Sequence, residues 1–130
     1  VKAEQMENSK KSGDFWEACK GLEVLAKEVH ALAREKGWHE KEHTFGELIA
    51  LCHSELSEAL ECYRTGASPK SWNMDFEKEG KPEGIPSELA DVIIRVLDIC
   101  GYYNINIGTM VYAKHKFNQT RPWRHGNKRI

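Results

Sequence analysis

A carboxylate set among apolar side chains constrains this chain more than any other feature. The run 44–64 reads as one amphipathic helix. Thr44 and Glu47 form a capping box at its start, the hydroxyl accepting a backbone N–H while the glutamate reaches back. Phe45, Leu48, Ile49, Cys52, Leu56, Ala59, Leu60 and Tyr63 then recur at helical spacing and give one apolar stripe. At about 100° per residue, Glu55 falls inside the edge of that stripe, and Glu58 lies about 60° further round. A buried carboxylate is costly unless it is paired, protonated or bound to a metal. Two of them one turn apart suit a hard cation with oxygen ligands. The plainer alternative is a solvated helix edge, since Glu is a common surface helix former.

A second helix repeats the pattern. From a cap at Ser87 to about Tyr103, apolar residues cover more than half the circumference, which predicts a central helix packed on more than one side. Its narrow polar strip is Glu88, Asp91, Arg95, Asp98 and Tyr102. Asp91 and Arg95, at i and i+4, could form an ordinary exposed ion pair. If the two helices lie side by side, however, Glu55, Glu58, Glu88 and Asp91 form a four-carboxylate cluster. Such a cluster repels itself until a divalent cation or protons relieve it. Oxygen-only ligands favour Mg²⁺ or Mn²⁺ over zinc. A di-iron bundle would need Glu-x-x-His pairs, which neither helix has.

The rest of the chain supplies the frame. Residues 1–13 are expected to be a flexible lead-in, too polar for a secretory signal. The start at Val1 instead of Met fits a trimmed or engineered beginning. A first helix is expected from Asp14, with Glu17 completing a capping pair, to a stop at Lys36 and Gly37. A short polar connection, 38–43, carries Trp38, His39 and His43. Residues 65–86 hold three of the four prolines and no alternating pattern, so they read as a long irregular loop that is functional or carries a short helix. A fourth helix is expected over 104–118, with Lys114 and Asn118 inside its apolar arc and Arg121 just beyond. Without strand-like alternation or repeats, the reading is all-α, one domain over 14–130.

Charge is unevenly spread. Residues 1–98 carry 13 Lys and Arg against 20 Asp and Glu, a balance of −7, whereas 99–130 carry six basic residues and no acid. The basic end either neutralises the acidic body or shares an anionic ligand with it. The whole is near neutral at −1, which makes nucleic acid a weak expectation. No apolar run approaches the roughly 20 residues that span a bilayer. Cys19, Cys52, Cys62 and Cys100 form no Cys-x-x-Cys pair, and are read as free thiols of a reducing cytoplasm.

Glu55-x-x-Glu58 followed by Glu88-x-x-Asp91 resembles the signature of the MazG-like all-α nucleoside triphosphate pyrophosphohydrolases. The likeness runs from about Gly37 to the C-terminus. It includes Ser54-Glu-Leu-Ser-Glu-Ala-Leu60, Glu88-Leu-Ala-Asp-Val-Ile-Ile-Arg95 and Lys116-Phe-Asn-Gln-Thr-Arg-Pro-Trp-Arg-His-Gly126. The spacer between the acidic pairs stands at or beyond the long end of that pattern, which bears on the path of residues 65–86. The resemblance implies a four-helix MazG-like bundle completed by oligomerisation, as a homodimer or homotetramer. It implies Mg²⁺-dependent cleavage of dNTPs or modified nucleoside triphosphates between the α and β phosphates. Glu55, Glu58, Glu88 and Asp91 would hold the metal and serve catalysis, and Lys114, Asn118 and Arg121 would meet the phosphates.

Base contacts are expected from Trp38, from His43 (or His39), which could equally be solvated loop residues, and from Trp16, for which core or interface packing is the favoured role. The competing reading is a helical module that binds nucleic acid or protein through the basic segment 114–130. It leaves the four acids unexplained.

Overall fold

A computed structural model describes residues 2–130, with the side chains of 4–12 outside the description. The chain is mostly helical: α1 (Lys2–Glu35), α2 (Phe45–Arg64), a hairpin of β1 (Trp72–Asp75) and β2 (Lys81–Gly84), α3 (Ile85–Tyr102), α4 (Ile107–Thr120) and the single turn α5 (Arg124–Asn127). No described helix is long and apolar enough to cross a membrane.

The helix ends follow local chemistry. Both bonds of the Thr44–Glu47 capping box are present, at 3.2 and 2.8 Å. The helix expected from Asp14 instead begins at Lys2, so the expected lead-in is part of α1; Val1 lies outside the described residues. Lys, Glu, Gln, Met and Ala are strong helix formers, and Gly13 removes no hydrogen bond from the ladder. At the other end of α1, Gly37 adopts φ 84°, Trp38 N–H donates to the Ala33 carbonyl (3.0 Å) and Gly37 N–H to that of Arg34 (3.1 Å). This is a Schellman closure, which needs the left-handed conformation that glycine adopts without strain. It turns the chain sharply, so that Trp38 and His39 follow directly on the helix.

The segment 65–86 is not a plain loop. β1 pairs antiparallel with β2, from Trp72 opposite Gly84 to Asp75 opposite Lys81. The turn is built by Asp75, whose carboxylate accepts the Glu77 N–H (3.0 Å) and whose carbonyl accepts the Gly80 N–H (2.9 Å). The hairpin is largely exposed on both faces, so it needs no alternation of polar and apolar residues. β2 leads straight into α3, which begins before the expected Ser87 cap. Gly84 stands at the N-cap, and Pro86 fits the first turn, where no N–H is required. The Ser87 hydroxyl instead donates to the Pro82 carbonyl (3.0 Å), tying hairpin to helix. α4 also starts later than expected, after Asn106, whose side chain accepts the Thr109 N–H (3.1 Å).

α3 is the central helix, packed between α1 and α2, and α4 also packs against α1, with Ile107 reaching the cluster that α1 and α3 share. One core cluster joins Ala26, Leu97 and Cys100, flanked by Val29 and Ile107; a second joins Leu48, Cys52 and Ile99, flanked by Tyr102. α1 and α3 approach closely at Gly101, where an added Cβ would meet the Ala26 carbonyl at 2.9 Å and clash with His30 Cβ. Large apolar side chains remain open on several helices, among them Leu56, Leu60 and Tyr63 of α2 and Leu89, Ile93 and Val96 of α3.

Candidate functional site

Glu55 is buried at the α2–α3 interface. It accepts a hydrogen bond of 2.5 Å from Arg95 Nε on α3. The pairing is therefore between helices; the plainer alternative, an i, i+4 ion pair of Arg95 with Asp91 on α3, is not the bond that forms. Glu58, one turn on, is exposed, in keeping with its position further round the helix.

Glu88 and Asp91 reach the same place from α3. Ligand oxygens of Glu55, Glu88 and Asp91 lie within 4.8 Å of one another. Burial, then the hydrogen bond that protonated Glu88 donates to Glu58, then the charges of Glu58, Asp91 and Glu55 push the Glu88 carboxyl up to about 7. Asp91 is raised as well, by burial and then by Glu55, against the opposing pull of Arg95 and of Lys81 on β2. Three carboxylates thus converge, with Glu58 bonded at their edge. The Arg95 guanidinium and the raised proton affinity of Glu88 both act to relieve the repulsion.

The donor set fits a hard divalent cation. All ligand atoms are oxygen, their combined charge is excessive without a counter-ion, and small side-chain rotations bring a 4.8 Å spread to the roughly 4 Å span of an octahedral Mg²⁺ shell.

The cluster opens into a cavity of roughly 610 Å³ between α1, α2 and α3. Glu55, Asp91 and Arg95 line one part of it; Leu48, Leu51 and Ile94 give it apolar walls; Trp38, His39 and His43 come from the α1–α2 connection. The Trp38 side chain is largely exposed, and His43 lies 3.1 Å from the Trp38 carbonyl through Nε2. Two of the three expected base-binding residues, Trp38 and His43, therefore share a cavity with the acids. Trp16 does not line it. Its ring packs edge-on against Tyr112 at 4.9 Å between α1 and α4, a packing role.

Lys114 and Asn118 line a shallow depression on α4 with Ile107, Met110, Val111 and His115, which shares no residue with the acidic cavity. Lys114 and Arg121 lie over the Phe117 ring, at 5.8 and 5.7 Å. Within one chain these three residues are not brought to the carboxylates.

His30 and Asp98 were not assigned as site residues by the sequence reading. His30 Nδ1 lies 2.8 Å from Asp98 Oδ1, and His39 Nε2 lies 2.9 and 2.8 Å from the two Asp98 oxygens. One signal was available: Asp98 follows Asp91 by two helical turns on the same narrow polar strip. No family model, curated protein or solved structure matches the chain.

Proposed function

We propose that the protein is a Mg²⁺-dependent hydrolase that splits nucleoside triphosphates between the α and β phosphates, releasing a nucleoside monophosphate and pyrophosphate. The observation that carries this reading is the convergence of Glu55, Glu88 and Asp91, with Glu58 bonded at the edge, beside a cavity that Glu55 and Asp91 line and whose other side is apolar and aromatic. Those four acids would hold the ion, with Mn²⁺ as an alternative. The chemistry it supplies when bound is neutralisation of phosphate charge and activation of water.

The chain's own groups provide the rest. Glu58 and Glu88 are close enough to share a proton, so this pair is suited to accept one from the attacking water. Arg95 sits beside the carboxylates as a cation that can turn toward a phosphate oxygen. Leu48, Leu51 and Ile94 offer a dry surface for a base, with Trp38 at the rim. Lys114, Asn118 and Arg121 would reach the phosphates from a second copy of the chain. The open apolar faces of α2 and α3 support a homo-oligomer that completes the bundle. The thiols of Cys19, Cys52, Cys62 and Cys100 are all free, which supports a reducing cytoplasm as the setting.

The deciding experiment incubates the purified chain with a panel of dNTPs and modified nucleoside triphosphates and Mg²⁺, and reads pyrophosphate release. At least one nucleotide should turn over, and Glu58→Gln and Asp91→Asn should each lower the rate by about 10²-fold or more with the fold intact. Absence of turnover across the panel, or near-normal rates in both variants, defeats the reading. Salt-sensitive binding of nucleic acid through 114–130 would then favour the interaction module.

A further inference from the structure

We propose that His30, His39 and Asp98 form a second metal site, separate from the acidic cluster and selective for a nitrogen-preferring dication such as Zn²⁺ over Mg²⁺. The inference stands on geometry and does not depend on the hydrolytic reading.

The three side chains come from three parts of the chain: His30 from α1, His39 from the connection closed by Gly37, and Asp98 from α3. Their ligand atoms (one nitrogen from each imidazole and a carboxylate oxygen) all lie within 4.8 Å of one another. The nitrogen–oxygen separations are 2.8–2.9 Å. Ligands held about 2.0–2.1 Å from a common ion sit roughly 3.0–3.4 Å apart, so both nitrogen–oxygen edges need open only by a fraction of an ångström, while the nitrogen–nitrogen edge, at most 4.8 Å, closes by no more than about 1.4 Å. Two imidazoles with one carboxylate also leave coordination positions open, as three-ligand zinc and iron sites do. His39 and Asp98 line the cavity, so those positions can be filled from it by water or by a ligand.

The surroundings hold the donors in place. His39 stacks on Tyr102, with centroids 5.1 Å apart and planes at 17°, and His30 meets the same ring edge-on at 6.0 Å. The donor side chains are shielded, with 16%, 9% and 17% of their surface exposed for His30, His39 and Asp98. Without an ion, each imidazole nitrogen that faces Asp98 carries a proton to donate. On binding, that proton moves to the other ring nitrogen or to water, and the freed lone pair takes the metal. Mg²⁺ competes poorly for imidazole nitrogen, which gives the two sites different ion preferences. A bound ion would clamp α1, the connection and α3 together, fixing the segment that carries Trp38 and His43.

The test uses the full chain, stripped with EDTA and dialysed, then titrated with Co²⁺ in the presence of millimolar Mg²⁺. One equivalent of Co²⁺ should bind, give visible d–d absorption and be displaced by Zn²⁺. Asp98→Asn and His39→Gln should each weaken binding by at least about 10-fold, the scale at which perturbing a single partner of a metal centre is felt. Glu58→Gln should leave it unchanged. As a measurement needing no variant, Zn²⁺ should shift the ring-nitrogen NMR signals of two histidines in the parent chain. Failure to retain Co²⁺ against Mg²⁺, equal affinity in both site variants, or unmoved histidine signals would overturn the proposal and leave a hydrogen-bonded trio only.

Discussion

Arg95 Nε on α3 meets Glu55 Oε1 on α2 at 2.5 Å, and so places a cation inside the carboxylate cluster. The Glu55 side chain is 10% exposed and that of Arg95 32%, so the pair is only partly screened by water. Arg95→Gln should destabilise the metal-free protein by about 1.5–3 kcal/mol, the range for a charged hydrogen bond. Added Mg²⁺ should recover much of that loss and bind more tightly than to the parent, because the guanidinium no longer competes for Glu55. Urea unfolding with and without Mg²⁺ measures both effects. The same loss in both conditions would separate Arg95 from the ion.

The Glu88 carboxyl titrates at about 7 in the folded chain against an ordinary 4.5. Between those values the folded state binds more protons than the unfolded one, so stability falls as pH rises from about 4.5 to about 7 and is then level. Raised Asp91 adds to the fall with the same sign. Glu88→Gln should flatten this slope in metal-free protein. Mg²⁺ should also expel protons on binding at pH 6, and fewer at pH 8, as read by calorimetry in buffers of different ionisation heat. Proton release that does not change between these pH values contradicts the shared-proton arrangement.

Gly101 sets the spacing of α1 and α3. In Gly101→Ala the new methyl group would press on His30 Cβ and on the Ala26 carbonyl. The expected cost is about 1–3 kcal/mol, typical of overpacking, and appears as a lower Tm. Because His30 is the neighbour that must move, its contact with Asp98 should loosen as well. An unchanged Tm would mean that the helices separate freely at this point.

Lys114 and Arg121 test whether two chains build one site. If they hold phosphates, Lys114→Ala and Arg121→Ala should each lower kcat/KM by about 1.5–3 kcal/mol for every nucleotide, since all share the triphosphate. Mixing inactive Glu58→Gln chains with Lys114→Ala chains should restore part of the activity, each supplying what the other lacks. Sedimentation equilibrium should show at least a dimer of the 14.9 kDa chain at micromolar concentration. A clean monomer, or mixtures no better than their parts, rules out a shared site.

Trp38→Ala should act on selectivity. The indole lines the cavity, so if the apolar wall takes a base, loss of the indole should reorder preference among bases more than it lowers the rate on the best one. A uniform loss across bases would place Trp38 in fold maintenance.

How much of this could be read from residue order depends on range. Glu55 and its α2 stripe were legible because helical periodicity is local, and the capping box formed as its residue types dictate. The hairpin was illegible because exposed strands leave no trace in polarity. The start of α1 was misplaced because a polar segment of strong helix formers lacks a stripe by which to recognise it. The His30–Asp98 contact joins residues 68 positions apart through helix packing, and no spacing rule reaches that far. The convergence of acids on α2 and α3 was foreseeable from two short motifs, while the separation of Lys114 from them within one chain was not.

Asp91, Arg95 and Asp98 share one strip of α3, and that strip works as a ruler. Seven residues at 1.5 Å of rise put Asp91 and Asp98 about 10 Å apart along the axis. A free phosphate or pyrophosphate is too short to touch both marks. Under the hydrolytic reading proposed above, a nucleotide whose ion-bound phosphates lie at Asp91 and whose sugar or base lies toward Asp98 would span both, and cutting it between the marks would leave neither piece able to reach both.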